Sequence, residues 1–320
     1  MGVPQIFIDG NTGATGMLIR ERLLARNDIG LISLEDQQRK DLKYRIEALY
    51  ACDIAFLCLP DEAARQAASI AKKSNAKLID ASSAHRTDEC WVYGFAEFKE
   101  GQREAIMTAN RISNPGCYAT GAVGILAPLI KAGLLPIDYP FTINAISGYT
   151  GGGTSLITRY ESEAAENYKP DPFWQYGLNL NHKHVPEITN RLGLVHPPIF
   201  QPAVANYAQG MLVNVPLALW QIDRQPTARS LHEILSEHYN NSRFVRVASL
   251  TETTKLQELN PQALNGTNLM EIFVLSDDNT RRAVITARLD NLGKGSSGAA
   301  VQNMNLLLGI PEDASISMSA

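Results

Sequence analysis

A cysteine stands where a helix is expected to begin. Residues 113–120 read Ser-Asn-Pro-Gly-Cys-Tyr-Ala-Thr, and apolar residues recur at helical spacing over 123–134. Asn114 can cap such a helix, as can the serine before it, and Pro115 suits its first turn. Cys117 would then lie at the positive end of the helix dipole, which stabilises a thiolate. The pattern predicts a nucleophilic cysteine. The alternative is a buried small apolar residue, which we expect for Cys52, Cys58 and Cys90.

Two histidines stand two residues apart in the segment 181–187, Asn-His-Lys-His-Val-Pro-Glu. Extended backbone would place His182 and His184 on one face, with a helix beginning at Pro186. An imidazole that titrates near neutrality can take the thiol proton and later protonate an oxygen. A metal site lacks a third ligand nearby, and a structural hydrogen-bonding pair is the other alternative. The spacing favours acid/base or substrate-binding work.

Three glycines follow the first predicted strand. Residues 9–16 read Asp-Gly-Asn-Thr-Gly-Ala-Thr-Gly, between the apolar run 5–9 and the helical pattern 17–26. Glycines there let the backbone approach a pyrophosphate at the helix start. The spacing differs from the commoner G-x-G-x-x-G, and the alternative is a structural turn. The residues that we expect to bind a dinucleotide are Gly10, Thr12, Gly13, Ala14, Thr15 and Gly16.

The end of the second predicted strand gives conflicting signals about the nucleotide. Residues 33–36 read Ser-Leu-Glu-Asp, and Arg39 and Lys40 follow. An acid here favours a ribose hydroxyl and hence NAD, whereas a nearby cation favours the 2′-phosphate of NADP. A solvated charged loop is the third possibility. Ser33 and Arg39 are the predicted cofactor contacts of this segment.

A thiolate beside a nicotinamide nucleotide indicates one class of chemistry. A thioester keeps its carbonyl carbon electrophilic, so hydride exchange with an acyl group proceeds well through it. The implied reaction interconverts an aldehyde and an acyl phosphate.

The segments that must position these residues fall into two patterns. Residues 4–110 alternate short apolar runs with helical segments, which is typical of a parallel sheet. From about 141 onward longer strand-like runs dominate, which favours a mixed or antiparallel sheet, and 296–309 predicts a C-terminal helix. We therefore expect an α/β protein with a Rossmann-type domain and a second α+β catalytic and dimerisation domain. The expected boundaries are 1–116 plus 292–320 for the first and 117–291 for the second, with Cys117 at their junction.

Composition excludes several other classes. The 320 residues are 45% hydrophobic and 19% charged, typical of a globular protein rather than a disordered chain. Lysine and arginine number 29 against 33 acids, without a basic patch, so nucleic acid is not an expected partner. No apolar run approaches a bilayer span, and no leader pattern precedes the first strand, so a cytoplasmic location is expected. Four cysteines without C-x-x-C spacing predict free thiols and no zinc site.

Seven motifs in order give the chain a family resemblance. They are the loop 10–16, Asp-Ala-Ser-Ser-Ala-His-Arg at 80–86, Tyr-Gly-Phe-Ala-Glu at 93–97, the cysteine segment 113–120, Ser-Gly-Tyr-Thr-Gly-Gly-Gly at 147–153, the histidine segment 182–187 and Asp-Asn-Leu-Gly-Lys-Gly at 290–295. Together they resemble the shorter type of N-acetyl-gamma-glutamyl-phosphate reductase, of the aspartate-semialdehyde dehydrogenase-like superfamily. The family often has Asp-Phe before Arg86, where this chain has Ala84-His85, and a proline at Ala96.

The resemblance implies NADPH-dependent reduction of N-acetyl-L-glutamyl 5-phosphate to the 5-semialdehyde, in arginine biosynthesis, by a homodimer or homotetramer. It makes Cys117 the nucleophile, His182 the favoured acid/base and His184 a substrate or supporting contact. It places Asn291 and Lys294 near the nicotinamide. The implied substrate contacts are Arg86, Asn114, Ser147, Gly148 and Tyr176.

Three alternatives stay open at this point. Aspartate-semialdehyde dehydrogenase or another acyl-phosphate reductase would use the same thiol, although Gly116 stands where the former usually has Asn. A nucleotide-binding redox sensor would oxidise Cys117 without turnover. A thiol hydrolase would leave the glycine loop unexplained.

Overall fold

The computed structural model describes residues 2–318, which divide into two compact units. The first runs to Ala96 and takes in Gly101–Gly116 and Ser296–Ser317. The second consists of Glu97–Glu100 and Cys117–Gly295.

The first unit is built on a parallel sheet of six strands. Its strands and helices in chain order are β1 (Gln5–Asp9), α1 (Ala14–Leu24), β2 (Gly30–Ile32), α2 (Leu42–Ala51), β3 (Ile54–Leu57), α3 (Asp61–Ile70), β4 (Lys77–Asp80), β5 (Val92–Tyr93), α4 (Gln102–Met107) and β6 (Arg111–Ser113). The strand order is β2-β1-β3-β4-β6-β5, and every neighbouring pair is parallel. All four residues of β3 are buried, as a strand between two parallel neighbours requires.

The second unit carries a mixed sheet of seven strands. Its elements are α5 (Cys117–Lys131), β7 (Thr142–Gly148), α6 (Thr154–Glu161), β8 (Phe173–Gln175), α7 (His184–Leu192), β9 (Ile199–Ala205), β10 (Met211–Ala218), α8 (Ala228–Tyr239), β11 (Val245–Val247), α9 (Leu250–Thr253), β12 (Met270–Asp277) and β13 (Arg282–Leu289). The order is β11-β12-β13-β10-β7-β9-β8, in which β11–β12 and β7–β9 are parallel and the other pairs antiparallel. After a π-helical turn, Gly293–Ser297, the chain ends its helices with α10 (Gly298–Leu308).

The predicted fold class is confirmed: a parallel Rossmann-type sheet accompanies a second, mixed sheet. The predicted C-terminal helix is also present, although its first residues form the π-helical turn. Among residues 2–318, no helix combines the length and apolar character needed to cross a bilayer.

The register of the second sheet brings five strands to one edge. Ser147 of β7 pairs with Met211 of β10 and with Val204 of β9. Met211 in turn pairs with Leu289, the last residue of β13, and Val204 pairs with Trp174 of β8. Side chains and loops from distant parts of the chain therefore meet along this row.

Helix α5 packs closely against the same sheet. A Cβ on Gly121 would lie 2.7 Å from Cγ2 of Val213, so only glycine permits this approach. Pro128 lies inside the helix and has no N–H to give the Gly124 carbonyl. The Tyr239 hydroxyl of α8 donates to that carbonyl instead, at 2.7 Å. The helix that begins with Cys117 is thereby fixed on the sheet despite its proline.

Candidate active site

Cys117 is the first residue of α5 and opens onto a cavity of about 560 Å³ in the second unit. The sulfur thus lies at the helix start, where the dipole favours a thiolate. Cys117 is half-buried, as a nucleophile that must both be positioned and meet a substrate should be. The cavity is also lined by Tyr118, Ser147, Gly148 and Tyr176.

The other three cysteines differ in reactivity from this arrangement. Burial raises the pKa of the Cys52 thiol to about 12. Burial, with the nearby carboxylates of Asp80 and Asp9, also raises the pKa of the Cys58 thiol. Cys90 is exposed, so the expectation that it is buried is wrong. It stands in a surface turn in which its N–H donates to the Asp88 carboxylate at 2.8 Å.

Two phenols stand beside the nucleophile. The Tyr176 hydroxyl donates to the Tyr118 hydroxyl at 3.2 Å, and Tyr118 donates to the Ala203 carbonyl at 3.2 Å. Burial raises the pKa of Tyr118 well above its usual value, and negative charge on Tyr176 and Cys117 adds to the rise. Burial likewise raises the pKa of Tyr176, to which Cys117 contributes. Both phenols therefore stay protonated at neutral pH and serve as hydrogen-bond donors.

The two histidines pack behind the phenols. The His182 and His184 ring centroids are 4.7 Å apart, and the His182 ring lies 5.5 Å from that of Tyr176. The His184 ring lies 5.6 Å from the Tyr118 ring and is almost fully buried. The sequence-derived contact between the histidine segment and the Cys117 region is therefore made through the tyrosines.

The predicted extended backbone at these histidines is wrong. Lys183 has helical dihedral angles, and α7 begins at His184, two residues before Pro186. The rings are adjacent for another reason: the His184 N–H donates to Nδ1 of His182 at 3.1 Å, a side-chain contact at the helix start. Because Nδ1 accepts this bond, a neutral His182 carries its proton on Nε2.

Ser147 and Gly148 form the wall of the cavity at the end of β7. The Ser147 hydroxyl is buried and donates to the Gly148 carbonyl at 3.0 Å. A Cβ on Gly148 would lie 2.4 Å from the Ala208 carbonyl oxygen, so a side chain there would displace backbone. Gly148 is thus required by the close approach of the loop after β9, and its backbone forms the cavity surface.

Asn291 fixes the turn that follows this wall. Its Oδ1 accepts the N–H of Gly210 at 2.7 Å, and its Nδ2 donates to Oγ1 of Thr150 at 3.1 Å. The amide joins the loop before β10 to the turn after β7, and it is 1% exposed. A direct contact between Asn291 and the nicotinamide stays a prediction.

Lys294 belongs to a buried ion pair. Its Nζ donates to Oε2 of Glu97 at 2.7 Å and lies 5.3 Å from the centroid of the Phe244 ring. The side chains of Lys294 and Glu97 are 1% and 4% exposed. The next residue, Gly295, lies so close to Cys117 that a Cβ on it would be 2.8 Å from the cysteine Cβ. The pair therefore anchors a turn that packs against the nucleophile, and a nicotinamide contact of Lys294 stays a prediction.

Breaking this pair is expected to destabilise the protein. Lys294→Met leaves the Glu97 carboxylate buried without its cation, which costs about 3–5 kcal/mol in free energy of unfolding. The double variant Lys294→Met/Glu97→Leu should recover most of that loss, because it removes both charges. Urea denaturation monitored by circular dichroism measures both. A single variant as stable as the parent would refute the anchoring role.

A surface pair supplies the control for that experiment. Lys131 and Glu100 approach to 3.8 Å with side chains 61% and 93% exposed. Exposed pairs of this kind contribute little, so Lys131→Met should leave the denaturation midpoint unchanged.

The glycine loop of the first unit borders a second cavity, of about 450 Å³. Gly10 has a φ of +92°, and a Cβ there would lie 2.2 Å from the Cys58 carbonyl oxygen. A Cβ on Gly16 would lie 2.3 Å from the Gly10 carbonyl oxygen, whereas Gly13 precedes α1 with open space around it. Two glycines thus close the turn, and the third leaves room for a ligand. The cavity lining includes Gly10, Asn11, Thr12, Arg39, Lys40 and Arg45.

The charged side chains of this cavity are held in place. Nη1 of Arg39 donates to Oδ1 of Asn11 at 2.9 Å, and its Nη2 bonds to Asp36. Arg45 forms a buried pair with Asp9 at 2.8 Å. The cations lie beside the loop, and this arrangement fits the phosphates of a dinucleotide, including a 2′-phosphate.

The remaining predicted cofactor residues lie around the loop. Ser33 is exposed directly after β2, and Ala14 is the first residue of α1. The Thr15 hydroxyl is 2.9 Å from that of Ser296. Contacts of these residues with a dinucleotide stay predictions.

Arg86 and Asn114 are joined within the first unit. Nε of Arg86 donates to the Asn114 carbonyl at 3.0 Å. Nδ2 of Asn114 donates to the Ser296 carbonyl at 3.0 Å, and its Oδ1 accepts from Asn303 at 3.2 Å. Both side chains are buried and tie together the segment before Cys117. Their contact with substrate stays a prediction.

The departure at His85 has a structural explanation. Nδ1 of His85 donates to Oδ2 of Asp80 at 2.6 Å, and the ring stacks on Trp91 with centroids 4.0 Å apart. The imidazole thus provides the stacking of an aromatic residue together with a hydrogen bond. Asp80 is fully buried, so this bond also satisfies its carboxylate.

Sequence reasoning did not single out three further residues of the Cys117 cavity. They are Arg159, Lys169 and Trp174. They come from α6, the following loop and β8, and no spacing rule joins them. Within residues 2–318, no group of three or more His, Cys, Asp or Glu side chains is arranged to hold a metal ion.

Two family models match the chain. The semialdehyde dehydrogenase dimerisation domain matches residues 117–291, and the semialdehyde dehydrogenase NAD binding domain matches residues 30–108. The chain belongs to the semialdehyde dehydrogenase family, and it carries that family's NAD(P)-binding domain.

Within this family the chain is similar to N-acetyl-gamma-glutamyl-phosphate reductases, which confirms the resemblance seen in the motifs. The enzyme of Trichormus variabilis is 49% identical over 319 residues, covering 98% of this chain and 99% of its own. That of Burkholderia ambifaria is 48% identical over 310 residues, covering 97% and 98%.

Solved structures share the fold at low identity. Aspartate semialdehyde dehydrogenase II of Vibrio cholerae superposes with a TM-score of 0.71 at 16% identity, covering 97% of this chain and 99% of its own. The enzyme of Candida albicans, solved with NADP, gives 0.65 at 12% identity, covering 96% and 99%.

Proposed function

We propose that the chain catalyses the NADPH-dependent reduction of N-acetyl-L-glutamyl 5-phosphate to N-acetyl-L-glutamate 5-semialdehyde and phosphate. The observation that carries this proposal is Cys117 at the start of α5, opening onto a small-molecule cavity with two protonated phenols. The full-length similarity to N-acetyl-gamma-glutamyl-phosphate reductases supports the choice of substrate. An arginine-biosynthetic role follows from it.

Cys117 is the nucleophile in this reaction. Its sulfur attacks the acyl-phosphate carbonyl, the carbon–oxygen bond to phosphate breaks, and a thioester forms. The dipole at the start of α5 stabilises both the thiolate and the oxyanion that precedes phosphate release. The Tyr118 and Tyr176 phenols, which remain protonated, can donate to the same oxygen. A bound nicotinamide nucleotide supplies the hydride that reduces the thioester.

The histidines divide the proton transfers. His182 carries its proton on Nε2 when neutral, which suits donation to the oxygen of the thiohemiacetal. His184, buried against Tyr118, takes the thiol proton at the start of the reaction. When the thiohemiacetal collapses, its hydroxyl proton returns to sulfur as the carbon–sulfur bond breaks and the aldehyde leaves. Overall the reduction consumes one proton from solvent.

The residues of the first unit that hold the cofactor are Gly10, Thr12, Gly13 and Arg39. The loop leaves backbone amides for the pyrophosphate at the start of α1, and Arg39 lies beside it for the 2′-phosphate. Lys40 lines the same cavity. We therefore assign NADP(H) as the cofactor.

Removing the Arg39 cation should weaken NADP⁺ binding selectively. Arg39→Gln is expected to raise the Kd for NADP⁺ roughly 10- to 100-fold, because it loses a charge-assisted contact to phosphate. The Kd for NAD⁺ should stay nearly constant. Fluorescence titration with both nucleotides measures this, with Lys43→Gln on α2 as the control. An equal loss for the two nucleotides would exclude a 2′-phosphate contact.

The reaction itself is tested in the oxidative direction. Purified protein is given NADP⁺, phosphate and N-acetylglutamate semialdehyde, and NADPH formation is followed by absorbance. Phosphate-dependent turnover is expected, with aspartate semialdehyde a poor substrate. Preference for aspartate semialdehyde would keep the mechanism and overturn the substrate. A folded protein that binds NADP⁺ and oxidises neither aldehyde would overturn the reaction.

We also propose that the chain acts in the cytoplasm as a homodimer or homotetramer. The match to a family dimerisation domain over residues 117–291 supports self-association. Size-exclusion chromatography with light scattering distinguishes these assemblies from a monomer.

A further inference from the structure

Two cations line the cavity that contains Cys117, and the thioester mechanism uses neither. They are Arg159 on α6 and Lys169 in the loop before β8. The Arg159 side chain is 25% exposed and that of Lys169 is 69% exposed. A substrate that enters this cavity therefore meets positive charge away from the nucleophile.

The Arg159 guanidinium is held in a fixed orientation. Its Nη2 donates to Oδ2 of Asp171 at 2.5 Å, and its Nε donates to the Lys169 carbonyl at 3.3 Å. The guanidinium carbon lies 4.9 Å from the centroid of the Trp174 ring, which also lines the cavity. Cation–π contact and hydrogen bonds together pre-organise the planar group for a ligand.

The local charges favour an anionic ligand. Asp171 is shared by both cations, since Nζ of Lys169 lies 3.4 Å from its Oδ1. Two positive charges against one negative charge leave a net positive charge at this end of the cavity. A planar guanidinium matches the geometry of a carboxylate with two parallel bonds.

The place of Arg159 along α6 indicates which anion it meets. Helix α6 begins at Thr154, just after Gly151, whose added Cβ would lie 3.4 Å from Oγ of Ser147. Arg159 is five residues into the helix, about 7.5 Å along its axis from Thr154. Ser155, four residues before it, lines the same cavity. The cation thus lies beyond the wall at Ser147, toward the end of the cavity away from the reacting carbonyl.

We propose that Arg159, assisted by Lys169, binds the α-carboxylate of the substrate and so selects an acyl phosphate that carries this group. The proposal rests on the proposed function, because it takes its substrate from it. In that substrate the phosphate is bonded to the carbonyl that Cys117 attacks, whereas the α-carboxylate lies four carbon–carbon bonds away. The distal cation therefore matches the carboxylate better than the phosphate.

The test compares two aldehydes that differ only in the carboxylate. N-acetylglutamate semialdehyde carries it, and 4-acetamidobutanal has hydrogen in its place. For Arg159→Met we expect kcat/KM to fall roughly 10- to 100-fold with the first aldehyde, as for the loss of a hydrogen-bonded charge pair. With the second aldehyde it should change by less than about threefold. Arg159→Lys should recover part of the loss, and Arg229→Met, an exposed arginine of α8, is the matched control.

Two outcomes would overturn the proposal. An equal loss for both aldehydes, with a raised KM for phosphate, would assign Arg159 to the phosphoryl group. Unchanged kcat/KM with both aldehydes would leave Arg159 without a role in binding. Unaltered thermal unfolding and NADP⁺ affinity of the variant show that it is folded.

A binding measurement separates this proposal from the proposed function. N-acetyl-L-norvaline keeps the carboxylate and the acetamido group but has no aldehyde, and N-butylacetamide lacks the carboxylate as well. By calorimetry the parent protein should bind the first more tightly than the second, and Arg159→Met should lose that difference. If the parent binds this way but oxidises no N-acetylglutamate semialdehyde, the reaction fails and the carboxylate site stands. Equal binding of the two compounds by the parent overturns the site.

Discussion

Cys117→Ser is expected to lower kcat by roughly 10⁴-fold or more, as for the loss of an essential nucleophile. The hydroxyl of serine is a far weaker nucleophile than a thiolate, and the start of α5 cannot ionise it at neutral pH. The dinucleotide cavity is built from other residues, so the Kd for NADP⁺ should stay within about twofold of the parent value. Steady-state kinetics and fluorescence titration on the same preparation measure both.

The exposed Cys90 supplies the control for this experiment. Cys90→Ser removes a thiol that lies outside the cavity and should leave kcat unchanged. Substantial activity in Cys117→Ser would contradict covalent catalysis. Loss of NADP⁺ binding in the same variant would show instead that the substitution disturbs the fold.

Replacement of either histidine is expected to lower kcat by about 10²- to 10⁴-fold, the usual contribution of general acid–base catalysis. His184→Asn removes the group assigned to take the thiol proton, and His182→Asn removes the donor to the thiohemiacetal oxygen. Turnover alone does not separate these roles, because both variants lose activity. A reaction that depends only on the thiol does.

Alkylation of Cys117 by iodoacetamide, followed against pH, makes that separation. His184→Asn should change the pH dependence of the alkylation rate, whereas His182→Asn should leave it close to that of the parent. His196→Asn, at an exposed position, is the control. The reverse pattern would give the base role to His182, and no change in either variant would remove the histidines from thiol activation.

The fold could be predicted from local patterns because each pattern repeats over several elements. β1, β4 and β9 begin and end where the apolar runs do, since a buried strand needs a continuous apolar segment. α5 begins at Cys117, where the Pro-Gly pair and the following apolar face indicate a helix start. These signals lie within one stretch of chain.

The parts of the site that depend on distant contacts could not be predicted in this way. The start of α7 at His184 depends on a side-chain bond from His182, which competes with the extended backbone that the alternation suggests. Arg159 and Lys169 reach the cavity through β-sheet register and a loop, and nothing in their spacing indicates it. The burial of Lys294 against Glu97, 197 residues away, likewise follows from tertiary packing alone.

The most direct test of the account is to look for the thioester on Cys117. Protein is mixed with NADP⁺ and N-acetylglutamate semialdehyde without phosphate, and NADPH formation and intact mass are measured together. We predict a burst of about one NADPH per subunit and a mass gain of one N-acetylglutamyl group, mapped to the Cys117 peptide and released by phosphate. A burst without the adduct, or an adduct on the Cys117→Ser variant, would contradict the mechanism.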